Sequence, residues 1–145
     1  MHGSLISAAA FAALTTLSAV AHAAEDSSTS VYTILDETKS QLREDFNRAK
    51  GSVRLLFVVD PVCPGCLRGL DDMNKVLLAN TRDPRLQTFV VHVPVLKPAA
   101  QAKDILPAAK LLHNPNVHHY WNPSGSFGRA LAEGVGLKHG GELLY

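Results

Sequence analysis

Cysteine is scarce in this chain: of 145 residues, only Cys63 and Cys66 are cysteines. No network of structural disulfides can therefore hold the molecule together. The two also lie too close in sequence to act as a staple, because the stabilisation a disulfide gives through chain entropy grows with the loop it closes. The pair reads as chemistry. An excess of either charge is also missing, since 14 Lys and Arg against 13 Asp and Glu leave a net charge of +1. That balance gives no electrostatic footprint for nucleic acid or an anionic membrane surface. There is no internal repeat, and beyond the first two dozen residues no apolar run of transmembrane length.

Charge is absent altogether from Met1 to Ala24, where Leu5 to Val20 is apolar or small and Ala21-His22-Ala23 forms an A-x-A cleavage pattern. Residues 1–23 are expected to be a secretory signal peptide, although the amino-terminal region holds no Lys or Arg. An uncleaved anchor is the alternative. The Ala/Ser/Thr-rich rather than Leu-rich composition favours cleavage, which would leave no membrane span. The expected location is periplasmic or secreted, an oxidising setting in which the potential of a dithiol decides its state.

The remainder is about one small domain in length. Glu25 to Ser30 is polar and reads as a leader. Asp36 is placed to cap a helix over about Glu37 to Lys50, with Leu42, Phe46 and Ala49 on one face and Gly51 as its stop. Val53 to Val59 (VRLLFVV) reads as a strand buried on both faces and paired in parallel. Leu67, Leu70, Met73, Asn74, Leu77 and Leu78 recur at helical spacing and predict a helix over about Cys66 to Asn80, broken by Thr81-Arg82-Asp83-Pro84. Leu86 to Val95 reads as a second strand, which completes a βαβ unit. Beyond it, Ala99 to Leu112 is Ala-rich and expected to be helical, with Pro107 kinking or dividing it. Turn-forming clusters flank Val117-His118-His119-Tyr120-Trp121, and a last helix is expected over about Phe127 to Gly134.

The cysteines thus fall at the carboxyl end of the first strand, the usual side for a site in an open α/β sheet. Cys63 would lie at a helix N-terminus, where free N–H groups and the macrodipole favour a thiolate. Cys66, one turn in, would be shielded and able to attack a mixed disulfide formed by Cys63. Pro64 suits a first helical turn, and Gly65 leaves room for a substrate backbone beside the Cys63 sulfur.

A βαβ unit with C-x-x-C at its first junction resembles the thioredoxin superfamily. Asp60-Pro61-Val62-Cys63-Pro64-Gly65-Cys66 is similar to the motif of secreted thiol-disulfide oxidoreductases of the Dsb type. The resemblance covers about Gly51 to Val95. It implies an α/β fold with a thioredoxin-like βαβ core and flanking helices, over a domain of residues 51–145 preceded by a leader and helix at 24–50. It further implies that Cys63 is the nucleophile, Cys66 the resolving thiol, and Pro64 and Gly65 tune the potential. The partners would be protein thiols or disulfides and a redox partner protein, with no bound cofactor, because the dithiol carries the electrons. A complete thioredoxin fold adds a cis-proline facing the motif, two antiparallel strands and a helix. Here no proline follows Pro123, and a strand would only be starting at Leu143, so the second half is expected to be divergent or missing.

The alternative is a soft-metal module in which the same two cysteines bind copper or mercury. Copper(I) accepts two thiolates, whereas zinc would need further donors such as His118 and His119. Adjacent histidines point to different sides in most local structures, and none stands at a metal-like spacing from the cysteines, so no metal site is assigned. His92 reads as a packed strand residue, Tyr120-Trp121 as a packing pair, and Arg68, Asp71 and Asp72 as a solvated helix face. Asp60 bears a charge that would oppose a Cys63 thiolate and Arg68 one that would favour it, and Pro94 would lie near the site but, at the end of the second strand, stands outside the order expected of the family's cis-proline.

Overall fold

A computed structural model describes residues 30–136, except 82, 97 and 98. The expected signal peptide, most of the polar leader and the last residues, 137–145, lie outside the described part. Among the described residues no helix is long and apolar enough to cross a membrane.

The order of elements is β1 (Thr33–Ile34), α1 (Ser40–Arg48), β2 (Val53–Val59), α2 (Pro64–Met73), a π-helical turn (Asn74–Leu78), β3 (Leu86–His92), a 3₁₀ turn (Ala102–Asp104), α3 (Ile105–Leu111), β4 (Val117–Trp121) and α4 (Ser126–Gly134). Four parallel strands form one sheet in the order β1-β4-β3-β2. The fold is α/β, and β2-α2-β3 is its thioredoxin-like core. Every described strand pair is parallel, so the antiparallel pair of a complete thioredoxin fold is not among the described elements.

Alternation along the strands splits the apolar side chains between two layers. Phe89, Val91 and Tyr120 face Leu42 of α1 and Phe127 of α4 on one side, with Leu35 completing that cluster. Val59 and Val90 face Leu70, Leu78 and Leu112 on the other, where Trp121 also packs on Ile105 and Ala109 of α3. β3 is one of the two inner strands and is buried from Thr88 to His92.

β2 differs from expectation. It pairs with β3 over its full predicted length, but it lies at the edge of the described sheet. Only Val59 is fully buried, and Val53 is 60% exposed. Its apolar run therefore reflects two partly covered faces rather than a central position. β4 was hidden between turn signals. Its parallel register (Val90 opposite His119, Val91 opposite Tyr120) makes it a core strand.

Helix boundaries follow local chemistry. α1 starts at Ser40, later than expected, because Asp36 first accepts from the Thr38 hydroxyl (2.9 Å) and its carbonyl from Lys39 N–H (3.2 Å). The Asp36 carboxylate still reaches Ser40 N–H at 3.4 Å, with Lys39 in the left-handed region at φ 54°. α1 ends before Gly51, whose φ of 95° suits glycine. Pro107 does not kink α3: it is the third residue of that helix, among N–H positions that have no intrahelical partner in any case.

Candidate active site

The site is assembled where β2 leaves the sheet. After Val59 the chain turns through Asp60-Pro61-Val62, and Cys63 N–H donates to the Asp60 carbonyl at 3.1 Å. Cys63 is the N-cap of α2, with extended backbone (φ −80°, ψ 115°). Its carbonyl accepts the first helical bond from Leu67 N–H (3.0 Å). Its sulfur accepts from Cys66 N–H at 3.4 Å, as a serine or aspartate oxygen would at such a position. Pro64 opens the helix, where a missing N–H is harmless. This starts α2 two residues earlier than the hydrophobic spacing suggested, because capping and the proline extend it beyond its apolar face.

The two thiols are unbridged and both partly accessible, yet their surroundings differ. The Cys66 backbone amide, aided by the Cys66 thiol and the Gly65 amide, holds the Cys63 thiol below its ordinary range against burial and the Asp60 charge. Burial pushes the Cys66 thiol up, and its contacts with Cys63 add to this. Cys66 packs against the apolar layer of Val59, Leu70 and Leu112. The arrangement favours ionisation of the outer sulfur and opposes it at the inner one. At Gly65 a Cβ would meet only the Cys63 sulfur, at 3.8 Å.

Asp60 is the feature that sequence reasoning missed. It was visible only as a charge near the cysteines, but its buried carboxylate accepts three backbone N–H groups, from Val62 (2.9 Å), Val95 (2.7 Å) and Leu96 (2.8 Å). This ends β3 at His92: Val93 N–H still bonds to Val59 O (2.9 Å), Pro94 has no N–H to give, and the next two amides turn to Asp60. Pro94 directly precedes the two residues whose amides Asp60 holds, and its carbonyl lies 3.8 Å from where a Cβ on Gly125 would be.

The histidines do not join the cysteines. His118 and His119 lie on opposite faces of β4, where His118 stacks on Phe89 (5.3 Å) and reaches Gln87 (3.2 Å). His119 contacts the Leu112 carbonyl (3.1 Å) and His92 (3.1 Å). Among the described residues, no group of three or more His, Cys, Asp or Glu side chains could hold a metal ion. Tyr120 and Trp121 are buried. Arg68 and Asp72 are exposed on α2, and Asp71 pairs with Lys75. Comparison with known proteins finds no family model, no curated protein and no solved structure that matches this chain.

Proposed function

We propose that this chain is an exported thiol-disulfide oxidoreductase, acting in the periplasm or outside the cell on protein thiols and disulfides. The observation that carries the reading is the placement of Cys63 as N-cap of α2, its sulfur accepting the Cys66 amide, with a less ionisable thiol one turn behind.

In the reducing direction, the Cys63 thiolate attacks one sulfur of a substrate disulfide. A Cys63–substrate bond forms, and the other substrate sulfur leaves as a thiolate that takes up a proton. Cys66 then loses its proton and attacks the Cys63 sulfur, which closes the Cys63–Cys66 disulfide and releases the second substrate thiol. Two electrons and two protons have passed to the substrate. The same steps in reverse make the protein an oxidant. Pro64 and Gly65 shape the turn between the sulfurs, and the redox partner restores the starting state.

The Cys66→Ser variant tests the proposal. It should accumulate a mixed disulfide through Cys63 with a polypeptide substrate, visible as a thiol-sensitive mass increase. A Cys63 that forms no adduct and alkylates no faster than a free thiol refutes it.

A further inference from the structure

Among the described residues, Asp60 is the only fully buried carboxylate, at 1% exposure. Its Oδ1 accepts from Val62 N–H, and its Oδ2 accepts from both Val95 and Leu96 N–H. Its backbone carbonyl accepts Cys63 N–H. One residue thus ties the turn that presents Cys63 to a segment more than 30 positions away. Three N–H donors suit a carboxylate, which can only accept. They are neutral dipoles and do not cancel its charge.

We infer that Asp60 is a positioning residue for the dithiol: it locks the Cys63 turn to the Val95–Leu96 segment, and its fixed negative charge biases the couple towards the disulfide. The inference rests on the redox reading given above. The charge of Asp60 opposes ionisation of both Cys63 and Cys66, the two thiols that face it from the α2 side, while its backbone, which no side-chain substitution changes, favours ionisation of Cys66. The titratable group facing it from β3 is His92, which burial holds neutral. Reduction by glutathione joins two glutathione thiols into glutathione disulfide. Their two electrons break the Cys63–Cys66 bond, and their two protons pass to the protein sulfurs or, where Cys63 ionises, to water. A charge that penalises the thiolate product disfavours reduction, whereas a stabilised reduced form makes a dithiol a stronger oxidant.

The experiment equilibrates the full chain with glutathione and titrates Cys63 by alkylation. Asp60→Asn should move the equilibrium towards the dithiol by about tenfold, equivalent to about 30 mV, and shift the Cys63 titration to lower pH. Leu96→Pro removes one N–H donor and keeps the charge, so both readouts should move the opposite way. Leu96 is exposed and lies outside any helix or strand, so this variant decides the matter if Asp60→Asn does not fold. Variants that melt lower but keep the wild-type equilibrium and titration would show that Asp60 is merely structural and overturn the inference. A wild-type chain with no dithiol–disulfide equilibrium would instead refute the redox reading itself.

Discussion

At Cys63 a sulfur occupies the place where helices usually carry an oxygen, and the consequences are those of any N-cap. An amide donor and a helix N-terminus favour negative charge on the capping atom. With the Cys66 amide as the leading cause of the Cys63 shift, alkylation of Cys63 in Cys66→Ser should rise with pH through a midpoint below the free-thiol value of about 8.5. In Cys63→Ser, the remaining Cys66 should titrate above that value. A Gly65→Ala variant tests the open side of the site. Its new methyl lies in ordinary contact with the Cys63 sulfur, so alkylation by a small reagent should fall less than twofold while turnover of a polypeptide disulfide falls several-fold. The placement of Cys63 at a helix start was legible because its cap, the proline and the amides around it lie within a few residues, whereas the burial of Cys66 draws also on Val90 and Leu112, far along the chain. The Asp60 clamp was not legible, because two of its three donors lie 35 and 36 positions further along.

At the scale of elements, α2 is held by a narrow apolar face whose centre is Leu70, 1% exposed between β2, β3 and α3. Leu70→Ala removes a side chain that cannot be replaced by collapse of one neighbour, and should cost about 2–5 kcal/mol in chemical denaturation. Cys66 packs in the same cluster, so the variant should also quicken alkylation of Cys66. Helical spacing revealed this face. It could not reveal the π-helical turn that follows, in which Ala79 N–H reaches Asn74 O at 2.7 Å. Spacing fails again at β4, where a His-His pair interrupts the apolar run that would mark a strand. There His118 is covered by Phe89 and His119 by its hydrogen bonds, so two polar residues lie on both faces of a core strand. For β2 the composition was right and the position wrong, because an apolar run records how much a strand is covered and not which neighbours cover it.

For the molecule as a whole, the buried pair His92 and His119 joins two strands of the sheet and ties its stability to pH. The Leu112 carbonyl can only accept, so His119 donates to it from Nε2. His119 Nδ1 is then a bare acceptor for His92 Nε2–H, which leaves both rings neutral and His92 Nδ1 buried without a partner. Burial, followed by the neighbouring His119, pushes His92 down to about 3 from the usual 6.5. Burial also lowers His119. Below pH 6.5 the unfolded chain binds protons at these positions that the folded chain refuses, so stability is fully present above that pH. It is lost as pH falls towards 3, with a slope of about 1.4 kcal/mol per pH unit for each histidine inside its window. Urea unfolding between pH 7 and pH 4 should show this decline. His92→Gln should flatten it, since glutamine cannot take the proton. An equal slope in wild type and variant would mean that the loss comes from other groups, and that the pair is no more than packing between β3 and β4.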